Sequence, residues 1–159
     1  MTFSPARPIG IRSRSNAENS FVFVELCRAE MQSLYEGKLD PVLTDDQSAL
    51  LFGRLKSLLQ DVRNGVLSFE GGNPTARVMT RHDCIYEVRA RPTRGRLFTR
   101  ELRLYCGEPQ LVARRILGLH LATKPGQAPD VDSEQNKAID TAVARAEHWE
   151  LEHLRGNGG

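Results

Sequence analysis

The chain has 159 residues, of which 40% are hydrophobic and 26% are charged, and its formal net charge is +2. This length is sufficient for one domain with a real core, whereas the overall charge indicates no particular partner. No apolar run approaches the roughly 20 residues of a membrane-spanning helix, and no apolar leader opens the chain. We therefore expect a cytoplasmic protein with neither an export signal nor a membrane anchor.

The chain begins with a segment that lacks periodicity. Residues 1–19 are rich in Pro, Ser and Arg, which is typical of a flexible arm. Aromatic and β-branched residues at 21–26 then predict a strand. A short helix is predicted at 28–36, with Gly37 as its stop.

The best-marked helix is predicted at 45–64. Thr44 and Gln47 fit a capping box at its start, and its apolar stripe consists of Leu51, Leu55, Leu58, Leu59 and Val62. The following loop contains no phosphate-binding glycine pattern. A further short strand is predicted at Val78 and Met79.

Three strands in succession are predicted at 85–91, 97–106 and 112–121. Turn-forming residues separate them, so an antiparallel meander is indicated. A final helix of about five turns starts near Asp132 or Ser133, and residues 156–159 form a frayed tail. We therefore predict a single α+β domain over 20–155, with a small antiparallel-rich sheet and helices packed on one face.

Alternation along these strands predicts a basic face opposite the core. Successive strand residues point to opposite sides, so Arg89, Arg103, His120 and Lys124 share one face. Residues 81–124 contain ten Lys or Arg against four Asp or Glu, whereas residues 125–159 contain three against seven. A basic face of this kind favours a polyanion, whose phosphates it can neutralise.

Four short segments resemble the RelE/HigB superfamily of type II toxin–antitoxin toxins, and within it the HigB-like, phage-associated branch. They are Tyr86-Glu-Val-Arg89, Leu102-Arg-Leu-Tyr105, Ile116-Leu-Gly-Leu-His120 with Lys124-Pro125, and a helix with Ala138, Ala142 and Arg145. The resemblance covers about residues 20–155, and its motifs begin at Tyr86. The lysine pair of the family is reduced here to Ala122-Thr-Lys124.

The resemblance implies a microbial RNase-like fold that cleaves mRNA on the ribosome without metal or cofactor. In such toxins the 2′-hydroxyl attacks the neighbouring phosphate. The matching positions imply that Arg89 and Arg103 stabilise the phosphate and that His120 transfers protons. Further candidates for RNA binding are Arg91, Arg96, Arg100, Tyr105, Arg114 and Lys124. The implied partner is a cognate antitoxin, often one with a helix-turn-helix domain.

Each candidate also has a plain structural interpretation. The two arginines can pair with Glu87 and Glu101 across the sheet, and His120 can be held by a neighbour. His148 and His153 lie five positions apart on the last helix, so a metal site of the HExxH kind is excluded there. The three cysteines, Cys27, Cys84 and Cys106, have no metal-binding spacing and are expected to be reduced thiols.

Two other functions stay open at this point. The chain can be a non-catalytic member of the same fold that inhibits a protein target, as the gyrase-poisoning relatives do, or that binds nucleic acid without cutting it. It can also be an unrelated α+β domain whose basic face is incidental.

Overall fold

A computed structural model of the chain describes residues 12–70, 74–79, 81–90, 100–125 and 131–157. Its elements in chain order are β1 (Ser20–Phe23), α1 (Glu25–Tyr35), α2 (Asp45–Asn64), β2 (Ala76–Val78), β3 (Tyr86–Ala90), β4 (Arg100–Gly107), β5 (Arg115–Pro125) and α3 (Val131–Asn157). A short 3-10 turn at Arg12–Arg14 precedes them. No described helix is both long and apolar enough to cross a membrane.

The α+β class is confirmed, and the sheet is mixed. Its five strands lie in the order β1-β5-β4-β3-β2. The predicted meander is present as the antiparallel pairs of β3 with β4 and of β4 with β5, whereas β1 runs parallel to β5 at the edge. Gly118 makes this close approach possible, because a Cβ atom there would lie 2.7 Å from the Phe23 ring.

The helix predicted at 45–64 forms as α2 with those bounds. The side chain of Thr44 accepts a hydrogen bond from Gln47 N–H, and the Gln47 side chain accepts one from Thr44 N–H, which completes the capping box. Gly65 ends the helix with a φ of 70°, a left-handed conformation that glycine adopts at little cost.

Helices cover both faces of the sheet, and not one face as the sequence suggested. One apolar cluster joins α1 and α2 to side chains such as Val88 and Leu104. A second cluster joins α3 to Tyr105, Leu117 and Leu119. Because Leu104 and Tyr105 are neighbours on β4, the two clusters lie on opposite faces. The face expected to be open is therefore the one that α3 covers.

A bulge in β5 changes the alternation that the sequence predicted. Tyr105 pairs with His120, whereas the next residue of β4 pairs with Gly118, so Leu119 is inserted between the two pairs. Leu119 consequently packs with α3, whereas Leu121 packs with α1 and α2, although strict alternation would place both on one face. The bulge also places His120 beside Tyr105, on the α3 side.

Part of the predicted flexible arm is docked on the domain. Ser13 is fully buried, and its hydroxyl contacts both the Tyr86 hydroxyl and the buried Glu108 carboxylate. Nη1 of the Arg12 guanidinium shares its two hydrogens among three carbonyls of the β4–β5 connection and β5, including Pro109 O at 2.6 Å. Residues 12–19 thus belong to the fold, and residues 1–11 lie outside the described part. At the other end α3 continues to Asn157, past the start of the predicted tail.

Candidate functional site

Arg89 and Arg103 lie opposite each other on β3 and β4, on the same face, as predicted. Both are engaged by Glu87, which is fully buried. Arg89 Nε donates to Glu87 at 2.6 Å and Arg103 Nη1 at 3.3 Å, while Gln135 of α3 donates from above at 3.2 Å. The pairing with Glu87 that the sequence allowed is the arrangement that forms.

Arg103 is enclosed between the sheet and the first half of α3, whereas the Arg89 side chain keeps 15% of its surface exposed. Arg103 is 7% exposed, Lys124 is 2% exposed and Tyr105 is fully buried. Burial raises the pKa of the Tyr105 hydroxyl, and the charge of Glu87 raises it further, while the Arg103 charge opposes both. Side chains buried to this extent offer little surface to a phosphate of an RNA chain.

The remaining predicted RNA-binding residues lie in other places. Arg100 pairs with Asp40 at 3.2 Å, on the α1 and α2 side of the sheet. Arg114 lies in the β4–β5 connection, where its guanidinium donates to Glu18 O at 2.5 Å. Arg91 and Arg96 lie outside the described residues. The predicted RNA-binding residues whose positions are described thus do not form one surface.

His120 belongs to a cluster built from three elements. Strand β1 pairs with β5 only as far as Gly118, so the next part of β5 has an open edge. Helix α1 follows β1 directly and places Glu30 at this edge, where it accepts from Leu121 N–H at 3.0 Å. Arg145 of α3 donates to both oxygens of Glu30, at 2.7 and 3.2 Å. His120 Nδ1 lies 3.0 Å from the same carboxylate.

The hydrogen-bond geometry determines the tautomer of His120. The two hydrogens of Arg145 Nη1 are directed to Glu30 Oε1 and to Leu119 O, at 2.7 and 3.0 Å. His120 Nδ1 is therefore the donor to Glu30, and in the neutral imidazole Nε2 is left as an acceptor. Among the described residues, none forms a hydrogen bond with Nε2. The imidazole stacks on the Tyr105 ring with 6.0 Å between centroids and 18° between planes.

Glu30 is the charged centre of this cluster. Burial alone raises its pKa, but the hydrogen bonds from His120, Arg145 and Leu121 N–H outweigh burial, so the pKa of Glu30 is lowered. The side chains of His120, Glu30 and Arg145 are 16%, 20% and 17% exposed. An imidazole fixed by a carboxylate, with its second nitrogen free to accept, is suited to proton transfer.

A cavity of about 460 Å³ lies next to this cluster, between the start of α1 and the second half of α3. Its lining includes Phe23 and Leu26 on one side and Trp149 on the other. Arg145 belongs to both the cavity lining and the His120 cluster. This cavity falls within the size range of small-molecule sites.

Sequence reasoning identified His120 but missed Glu30, its closest partner. Glu30 lies ninety positions away, on the first predicted helix, where no sequence pattern connected it to His120. Arg145 was present in the resemblance as the arginine of the last helix, without a role. Its role could have been suspected because this motif arginine lies on the side of α3 that faces the sheet, where an arginine needs a carboxylate partner.

No group of His, Cys, Asp or Glu with metal-binding geometry occurs among the described residues. Comparisons of the chain with protein-family models, with curated proteins and with solved structures gave no match. The resemblance to RelE/HigB toxins therefore depends on the short motifs alone.

Proposed function

We propose that this chain is a metal-independent endoribonuclease toxin of the RelE/HigB kind, with His120 as its proton-transfer residue. The observation that carries the proposal is the orientation of His120 by Glu30 and Arg145, with Nε2 free to accept a proton. The order of the elements, one strand, two helices, a meander and a helix, also fits the proposal. The proposal also includes a cognate antitoxin that binds the enzyme and inhibits it.

In this proposal His120 Nε2 takes the proton of the 2′-hydroxyl, and the oxygen attacks the adjacent phosphorus. The bond to the 5′-oxygen breaks, a cyclic phosphate forms, and the imidazolium returns its proton to the leaving oxygen. Glu30 stabilises the imidazolium through Nδ1, as a carboxylate does in other histidine dyads. Arg145 lies 3.2 Å from His120 Nδ1 and donates to both oxygens of Glu30, so it holds the carboxylate that orients the imidazole.

A second function is favoured by a different observation. Arg89 and Arg103, the residues expected to stabilise the phosphate, are held by the buried Glu87 under α3. The engagement of these two arginines by Glu87 fits the non-catalytic alternative, which inhibits a protein target or binds nucleic acid without cutting it. The two candidates differ in whether His120 is needed for activity.

The experiment compares the wild-type chain with His120→Ala and with the control His82→Ala on ribosomes that are translating a defined mRNA. His82 is a partly exposed histidine whose Nε2 lies 3.5 Å from Asp140, away from the cluster. Cleavage by the wild type and by His82→Ala, with none by a folded His120→Ala, is the expected result. Arg103→Ala is a poor test, because it unbalances the buried Glu87 and disturbs the fold.

Glu30→Gln adds a readout that a purely structural role would not change. An amide holds the His120 ring but does not stabilise its charged form, so the cleavage rate should fall and its pH profile should shift. Intact mRNA with all variants, together with inhibition of DNA gyrase or retention of RNA, would establish the second function and exclude the first.

A further inference from the structure

The cavity between α1 and α3 has a chemistry of its own. Its floor is apolar and includes Phe23, Leu26 and Trp149. Leu26 is 60% exposed, so the first turn of α1 presents an uncovered leucine to this space. An apolar lining of this kind stabilises the apolar part of a ligand by removing it from water.

The charged side chains that line the cavity carry more negative than positive charge. Arg145 faces the cavity, but both oxygens of Glu30 already neutralise its guanidinium. Glu25 and Glu152 also line the cavity, and the neighbour described for Glu152 is His148, at 3.1 Å. With histidine counted as neutral, the side chains around the cavity leave an excess of negative charge. This excess disfavours a phosphate and attracts a cation.

Trp149 adds a second reason for a cationic ligand, which can use only one face of the indole because the other stacks on the His153 ring, with 4.8 Å between centroids. The face of an indole ring attracts ammonium and guanidinium groups through its quadrupole, more strongly than other aromatic rings do. Two carboxylates and an indole around one apolar cavity are complementary to an apolar group that carries one positive charge.

We propose that the cavity is a binding site for hydrophobic amines, that is, primary ammonium ions attached to an aromatic or branched apolar group. The apolar group contacts Phe23, Leu26 and Trp149, and the ammonium group lies at the rim with Glu25 and Glu152. This site does not depend on RNA cleavage, although it shares Arg145 with the His120 cluster.

The test uses three matched probes, namely phenethylammonium, phenethyl alcohol and hydrocinnamate, which are positive, neutral and negative. Trp149 is the one tryptophan of the chain, so its fluorescence reports on this cavity directly. We expect phenethylammonium to bind about tenfold more tightly than the alcohol at low ionic strength, with hydrocinnamate the weakest. Equal affinities, or a preference for hydrocinnamate, would overturn the proposal.

Three variants locate the binding. Glu25→Gln with Glu152→Gln should remove most of the preference for the ammonium, whereas Glu18→Gln, the same change at an exposed position on the other end of β1, should not. Leu26→Ser should weaken all three probes to a similar extent. These positions are exposed, so each variant should fold. An unchanged ammonium preference in the double variant would also rule the site out.

Discussion

At the scale of single residues, Glu87 decides what the basic face can do. A carboxylate with no exposure at this position requires cations, and Arg89 and Arg103 supply them at 2.6 and 3.3 Å. The desolvation cost of such a buried group is offset only while its partners remain. The two arginines therefore stabilise the interior, whatever else they do.

The first prediction follows from this arrangement. Arg103→Ala should lower the free energy of unfolding by about 3 kcal/mol, because it leaves Glu87 buried with fewer partners. Arg77 lies 3.9 Å from the same carboxylate but is 57% exposed, so Arg77→Ala should cost less than about 1 kcal/mol. Urea denaturation of both variants measures the difference. Equal losses of unfolding free energy in the two variants would show that burial of the Arg103–Glu87 pair does not determine its contribution to stability.

The three cysteines differ in accessibility. Burial raises the pKa of the Cys27 and Cys106 thiols, whereas Cys84 is half-buried. Since the thiolate is the reactive form, Cys84 should react first with a thiol reagent in the native protein. Cys27 and Cys106 should react only after unfolding. Mass spectrometry after timed labelling measures the order, and rapid native labelling of Cys106 would contradict it.

At the scale of elements, Glu30 joins α1, β5 and α3 at one point. Its lowered pKa has a consequence for acid stability, because the folded state favours the charged form. The ionised group stabilises the fold above the ordinary value of 4.5, and this contribution is lost as the pH falls through the lower folded-state value.

The variant Glu30→Gln tests this dependence of stability on pH. Glu30→Gln should be less stable than the wild type at neutral pH, and the difference should shrink as the pH falls below 4.5. Urea midpoints across that range, with Glu18→Gln as the control, measure it. A constant difference at every pH would mean that the charge of Glu30 does not contribute.

At the scale of the whole molecule, the segment before β1 closes one end of the sheet. Arg12 donates to carbonyls of Pro109, Val112 and Arg115, and in the opposite direction Arg114 donates to Glu18 O. Glu108, fully buried, accepts from the backbone N–H groups of Arg12 and Ser13. The N-terminal segment and the β4–β5 connection thus hold each other.

Arg12→Ala should therefore destabilise the whole domain by about 2 kcal/mol, because three carbonyl groups lose a charged donor. Arg28→Ala removes an exposed arginine of α1 and should change stability by less than about 0.5 kcal/mol. Thermal unfolding of both proteins measures the effect. If Arg12→Ala behaved like Arg28→Ala, the docked segment would not be part of the cooperative unit.

Local signals in the sequence were sufficient for the class of the fold and for most of its elements. The capping residues and leucine stripe of α2 fixed its bounds, because both act within a few residues. Alternation placed Arg89 and Arg103 on one face, because register across β3 and β4 follows from the turn and the apolar pattern. The resemblance to the toxin family, and not a local signal, indicated His120 as a candidate for proton transfer.

Only the tertiary structure decided which of these residues stay accessible. Alternation assigns a side of the sheet but does not say whether a helix covers it, and α3 covers the basic face. The partner of His120 comes from α1, ninety positions away, and the bulge at Leu119 that aligns His120 with Tyr105 has no local signature. Contacts of this kind depend on how separate elements pack, so they were beyond the reach of any short stretch of sequence.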